Sequence, residues 1–368
     1  MRTIFFILFT IFTAVSDAQT IKAAGAEMDD NRVKEATELL TNYLKIFLDK
    51  RTPDYTKYWV AEDCLRSKLP DDMAYSIADS YSTYCFGDSK PTIFFARSFG
   101  DYVQLKTVFS ATDSGANVQI WALTNHYVLY SKDGVPPHLI SEISLHSDLY
   151  RTRRKRNITY HFPASEHFNK AASKKMIGRL IKIENQWGFK QKEIDYFYAP
   201  TSDALARMRG MDYNYSMDDI HPSGISYPEF NKLFCQGVGE GYLHEVLHIY
   251  FNPVYGKSPM CHAMIYYLAG GLGKDFNWFI DRMNDYLTKY PNTNLSQYET
   301  IISKDKFLHI DYVTKGLLCK MLDEKYGFPG LKRAFQYATV DELISEEFGI
   351  EKEGINTFLI QSFKKYRS

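Results

Sequence analysis

The segment His244-Glu245-Val246-Leu247-His248 carries the strongest chemical signal in the sequence. It lies in an apolar run, 242–250, that reads as a helix, and residues four apart on a helix stand one above the other on a single face. Two imidazole nitrogens at that spacing can meet one zinc ion, while Glu245 sits beside them within reach of a water. Zinc lowers the pKa of such a water, and Glu245 would take its proton as general base and deliver it to a leaving amine. A catalytic zinc needs three protein ligands and an open position. His262, just after Pro259-Met260, opens a second apolar helix running toward Gly270-Gly271, and no carboxylate appears in that helix before Asp275. His262 is therefore the expected third ligand.

Other candidates carry less. His221 and His309 fall in the same half of the chain and read as surface or satisfied core histidines. Glu240, about one helical turn before His244, reads as a helix-start charge favoured by the macrodipole. The chain has no phosphate-binding glycine loop, no dinucleotide fingerprint and no Gly-x-Ser-x-Gly elbow, which removes nucleotide-cofactor and serine-hydrolase chemistry from consideration.

The elements that must position these residues follow from length and pattern. A chain of 368 residues, 45% hydrophobic and 15% aromatic, can bury substantial cores and favours two domains. Its 44 basic and 44 acidic side chains balance, so no global field draws it to nucleic acid or to anionic membranes. The fold class expected is α+β, with a small helix-plus-antiparallel-sheet domain over 19–150 and a mainly helical domain over 151–368. In the first, Val33, Ala36, Leu40, Tyr43, Leu44 and Phe47 recur at helical spacing. Strand-like runs at 92–96, 102–111 and 118–130 follow, with turn residues at 113–117 and Asp133-Gly134. The order suggests a curved sheet wrapping a helix, cystatin-like or nuclear-transport-factor-like. In the second, 168–187 reads as a long helix whose stripe is broken at Glu184, leaving an exposed last turn. A short strand, 194–198, and a helix capped by Ser202 and ending near Gly210 come next, and Asn252-Pro253 is expected to end the His244 helix. The basic run Arg151-Thr152-Arg153-Arg154-Lys155-Arg156 marks the boundary. Its functional readings are an anionic-ligand patch or a dibasic processing site; a solvated edge strand or linker is the favoured reading, because the remaining chain supplies no matching basic face.

From about 194 to 365 the chain resembles the peptidase MA-like branch of the gluzincins, exported relatives of the thermolysin and aminopeptidase N type. The resemblance rests on the His-Glu-x-x-His motif followed by Tyr267-Leu268-Ala269-Gly270-Gly271 and Lys274-Asp275-Phe276. It places His262 where the family's zinc-binding Glu stands, a departure for which a third His, as in SprT-like proteases, is a chemical precedent. It also aligns Tyr312-Val313-Thr314-Lys315-Gly316 with the family's Tyr-containing segment, which implies Tyr312 as hydrogen-bond donor to a tetrahedral oxyanion. The implied function is zinc-dependent hydrolysis of peptide bonds in a peptide or protein substrate. The alternative is a catalytically degenerate relative that binds metal or peptide without turnover.

Arg2, the apolar run 4–15 and the small residues Ser16 and Ala18 read as an export signal, 1–18, so a periplasmic, cell-surface or secreted protein without stable membrane insertion is expected. Export permits disulfides, and Cys64 with Cys85 is a plausible local pair; Cys235, Cys261 and Cys319 read as buried small hydrophobes. Sequons at Asn157, Asn214 and Asn294 matter only where secreted proteins are glycosylated. Amino-terminal sequencing of the exported protein should begin near Gln19; an intact Met1 in a membrane fraction would make the segment an anchor.

Overall fold

The computed structural model describes residues 22–23, 30–49, 51–81, 91–112, 117–130, 135–214 and 222–367. Residues 1–18, expected to be an export signal, the expected turn residues 113–116 and Asp133-Gly134, Cys85 and His221 lie outside the described residues. Among these residues, contacts divide the chain into two units, 1–53 with 74–137 and 54–73 with 138–368, the cut at 73 falling inside helix 72–81. The architecture is α+β.

In the first unit Asp30 accepts the Arg32 N–H at 2.8 Å, satisfying one of the donors a helix start leaves orphaned, and opens α1 (Asn31–Leu48). Its stripe Val33, Ala36, Leu40, Tyr43, Leu44 and Phe47 is buried, as the spacing requires. A short strand β1 (Lys22–Ala23) runs parallel to β2 (Thr92–Phe99), which continues into β3 (Tyr102–Thr112) and β4 (Val118–Leu129) as an antiparallel meander. Helix α1 packs on β2 and β3. The Arg32 guanidinium donates to the Gly100 carbonyl at 2.9 Å, in the turn between those strands.

The second unit begins earlier than residue 150, and side-chain chemistry explains why. In α2 (Ala61–Arg66) the buried Asp63 carboxylate accepts the Ser141 N–H and hydroxyl, each at 2.7 Å, and the Ser144 hydroxyl at 2.5 Å. Backbone bonds Val60 N–H to Leu139 and Leu139 N–H to Tyr58 add to this tie. Residues 54–73 therefore belong with β5 (His138–Ile140) and α4 (Glu142–Leu145).

Beyond them a five-stranded mixed sheet has the order β10-β11-β8-β7-β6, formed by β6 (Tyr150–Lys155), β7 (Ile158–Pro163), β8 (Ile194–Ala199), β10 (Ser223–Tyr227) and β11 (Lys232–Gln236); a further strand, β9, is Met211–Asn214. The inner pairs β7/β8 and β8/β11 are parallel, and the outer pairs β6/β7 and β10/β11 antiparallel. The basic run is thus an edge strand, as its composition suggests. The sequence pattern exposes only one of these inner strands, because β11 is buried at all five positions and lacks alternation. Its Leu233 and Cys235 join Tyr196, Tyr198 and Tyr160 in the main core, while Lys232 and Phe234 face the other way, where Lys232 Nζ donates to the Leu69 carbonyl at 2.7 Å.

Crossover helix α5 (Lys170–Trp187) is capped by Asn169 and closed by Gly188 in the left-handed region at φ 70°. Its last turn is exposed at Asn185 and Gln186, as the pattern suggests, but buries Glu184 and Trp187: Glu184 meets Arg156 at 2.7 Å and accepts the Tyr250 hydroxyl at 2.6 Å, and these partners offset the cost of burying the charge. Helix α6 (Ser202–Met208) is capped by Thr201, one residue before the expected Ser202. The remainder is helical: α7 (Leu243–Tyr255), α8 (Cys261–Ala269), α9 (Phe276–Lys289), α10 (Ile310–Tyr326), α11 (Phe328–Arg333), α12 (Val340–Phe348) and α13 (Ile355–Lys365). No helix among the described residues is long and apolar enough to cross a membrane. The Asn157 sequon is fully buried, its amide donating to the Lys192 carbonyl, so the folded chain presents no acceptor there.

Helix α7 does not stop at Asn252-Pro253; it runs through Pro253 to Tyr255, with Gly256 as its C-cap. Proline lacks the N–H that would bond the carbonyl four residues back, which is that of Ile249. Lys192 Nζ donates to that carbonyl at 2.6 Å and replaces the missing bond. Lys192→Met should therefore lower stability by about 1–2 kcal/mol in denaturant melts. With Pro253→Ala as background the loss should shrink, since a backbone N–H then serves Ile249; strictly additive losses would contradict the pairing.

Candidate metal centre

Helix α7 begins after a 3-10 turn, Gly239–Gly241, that aims its first residues into the core. His244 and Glu245 are buried at 5% and 6% exposure, although both are polar, so each needs an internal partner. The i, i+4 spacing brings the two α7 imidazoles together with ring centroids 5.0 Å apart. His262, in the first turn of α8, completes a triangle at 5.4 Å from His244 and 4.7 Å from His248. One ligand nitrogen from each of the three lies within 4.8 Å of the others, so the group can hold a metal ion.

The hydrogen bonds on the far side of each ring fix which nitrogen is free. His244 Nδ1 is 2.6 Å from the Gly270 carbonyl, which can only accept, so the ring proton is on Nδ1. His248 Nδ1 is 3.1 Å from Asn252 Oδ1, an oxygen that also receives the Cys261 thiol at 3.6 Å. Each ring then presents an unprotonated Nε2, and the two Nε2 atoms are 3.3 Å apart. Two lone pairs at that distance repel unless a cation stands between them. Tetrahedral zinc with Zn–N bonds of about 2.0–2.1 Å sets its ligand nitrogens about 3.3–3.4 Å apart, so the spacing fits the ion.

Electrostatics keep His244 and His262 neutral and thus able to ligate. Burial, then the neighbouring His248 and His262, holds His244 well below the usual imidazole range. Burial, with His248 and His309, pushes His262 down to about 3. The Gly270 carbonyl reaches His244 because Gly270 adopts φ 75°, ψ −155°, and a Cβ there would lie 1.8 Å from the Lys274 carbonyl oxygen. Only glycine fits. The tight turn is closed by Gly271 N–H to Lys274 at 3.0 Å and Lys274 N–H to Gly271 at 2.7 Å.

Glu245 points toward β10 rather than along the ligand face. Its carboxylate accepts the Ser226 hydroxyl, and a Cβ on Gly224 would stand 2.5 Å from its Cγ. Gly224 and Ser226, two apart on one strand, share the face that holds it. Burial raises the Glu245 pKa, against the lowering effects of His248 and Ser226.

Tyr312 lies against the site, its ring stacked on His262 at 4.1 Å and 25°. His309 follows at 5.5 Å from Tyr312 and makes no part of the ligand triangle. Glu240 serves elsewhere, accepting the Asn169 N–H at 2.7 Å and the Tyr198 hydroxyl at 2.6 Å. Residues that sequence reasoning missed are Asn252, Gly270, Ser226, Gly224 and Tyr266, whose ring lies 5.1 Å from that of His244 and 5.6 Å from that of His262. Asn252 and Tyr266 had a signal, standing four residues after His248 and His262; the β10 residues had none. Cys64, Cys235, Cys261 and Cys319 are free thiols, and among the described residues none belongs to the histidine group. Comparison with family models, curated proteins and solved structures finds no match to this chain.

Two substitutions test the construction by metal-to-protein ratio after dialysis against a weak chelator. Asn252→Ala should weaken binding by about 10–100-fold, the usual cost of losing the partner of a ligating imidazole. His262→Ala should empty the site and His262→Glu should refill part of it, since carboxylate oxygen also ligates zinc. Full occupancy in His262→Ala would assign the third ligand elsewhere.

Proposed function

We propose that the chain is an exported zinc-dependent hydrolase of peptide bonds, with His244, His248 and His262 as ligands and Glu245 as general base. The observation that carries this reading is a triangle of imidazoles in which two Nε2 lone pairs converge at 3.3 Å, with the next residue after His244, Glu245, buried and held by Ser226. Three imidazoles without a thiolate suit zinc among the transition metals, and three protein ligands leave the fourth position open, as catalytic sites require. Bound there, zinc would polarise a substrate carbonyl and acidify a water.

The residues of the chain do the rest. Glu245 accepts a proton from the attacking water and returns it to the departing amine nitrogen, and its raised pKa favours holding that proton between the two steps. Ser226 and Gly224 fix the carboxylate's orientation. Tyr312, whose ring stacks on His262, would hold that ring and offer its hydroxyl to the oxyanion. Strand β10 ends the sheet, and among the described residues nothing pairs with its outer edge, so an extended polypeptide could lie along it beside Glu245. A purely binding protein would have no use for a buried carboxylate beside its histidines, which is why turnover is favoured over metal or peptide binding alone.

Glu245→Gln should keep its zinc while hydrolysis of a responsive peptide falls by at least about 10²-fold, the typical contribution of a general base. Tyr312→Phe should lose less, chiefly in kcat. Undiminished turnover in Glu245→Gln removes that residue from the mechanism, and no turnover of a diverse peptide library by zinc-loaded parent protein would favour the binding role.

A further inference from the structure

The basic run on β6 divides by face. Arg154 pairs with Glu193 and Arg156 with Glu184, so these two charges are already answered. Arg151 and Arg153, two apart and therefore on the same face of the strand, have no ion-pair partner among the described residues. They line a groove of about 450 Å³ with Thr152, Phe162, His167 and Phe168, and no carboxylate contributes to its wall.

That groove has a rigid aromatic floor. Phe162 is buried and stacks on Tyr198 at 5.2 Å and 14°, and Phe168 packs against Phe162 at 5.8 Å and Tyr160 at 5.2 Å. The Arg153 guanidinium lies 5.1 Å from the centre of the Phe168 ring, which orients it without neutralising it. Charges placed on an edge strand to discourage strand pairing need neither a groove nor an aromatic floor. Two arginines on one face of a strand, their backbone positions about 7 Å apart and one guanidinium lying over an aromatic ring, match an oxyanion joined to a flat apolar body.

The geometry points to a second binding site, at Arg151 and Arg153, for small organic phosphate monoesters that carry an aromatic or apolar group. The guanidiniums take the phosphate oxygens through charge-assisted, bidentate hydrogen bonds, and the body of the ligand rests on Phe168 and His167. The site shares no residue with the histidine triangle.

Phenyl phosphate titrated calorimetrically into the purified full chain is the direct probe, with inorganic phosphate and benzyl alcohol as comparison arms. Every titration is repeated on chelator-treated protein, so that phosphate held by a metal is told apart from phosphate held by arginine. Saturable one-site binding of phenyl phosphate is expected with or without chelator, inorganic phosphate binding more weakly and benzyl alcohol not at all. Arg151→Gln and Arg153→Gln should each weaken binding at least about 5-fold, and Arg154→Gln, whose charge is spent on Glu193, less than about 2-fold. Circular dichroism checks that the variants fold. Absence of saturable binding, binding only before chelation, or equal weakening by Arg154→Gln would overturn the assignment.

Discussion

Two imidazole lone pairs facing each other across 3.3 Å are the interaction on which the surrounding structure depends. Their approach follows from bonds on the opposite side of each ring, to the Gly270 carbonyl and to Asn252. Remove either bond and the tautomer is no longer fixed; the repulsion could then be relieved by a ring proton instead of a metal. The Gly270 turn, the continuation of α7 as far as Asn252 and the start of α8 at Cys261 are thus parts of one device.

Helix α7 reaches Asn252 intact because the defect at Pro253 is repaired from outside, by Lys192 from the chain leading into β8. The same neighbourhood holds Tyr250, bonded to Glu184, which in turn is bonded to Arg156. Sheet and helix are therefore joined by polar bonds as well as by the apolar core along the back of α7, where Val246, Leu247 and Tyr250 are almost wholly buried. On the other side, Ser226 and Gly224 of β10 hold Glu245. The ligand helix is fixed from both directions, which limits the motion that would blur the nitrogen positions.

Much of this was legible in the sequence where the periodicity was long. The stripe of α1, the β2–β4 meander and the His244/His248 pair all follow from spacing, and His262 from its place at the start of an apolar helix. What stayed hidden depends on tertiary partners. Strands β10 and β11 are five residues each, and β11 is buried on both faces, so neither offers the alternation that marks a strand. Pro253 reads as a helix end unless the distant Lys192 is known, and Glu184 reads as exposed unless Arg156 is known. The first unit's limits were obscured for the same reason, since Asp63 belongs to the second unit by bonds to Ser141 and Ser144 that no local pattern announces.

The most direct test of the central claim is X-ray absorption at the zinc edge on purified protein reconstituted with one equivalent of zinc. Three imidazole nitrogens at about 2.0–2.1 Å plus one light-atom ligand from solvent are expected. A first shell with fewer than three imidazoles, or with sulfur in it, would contradict the proposed centre.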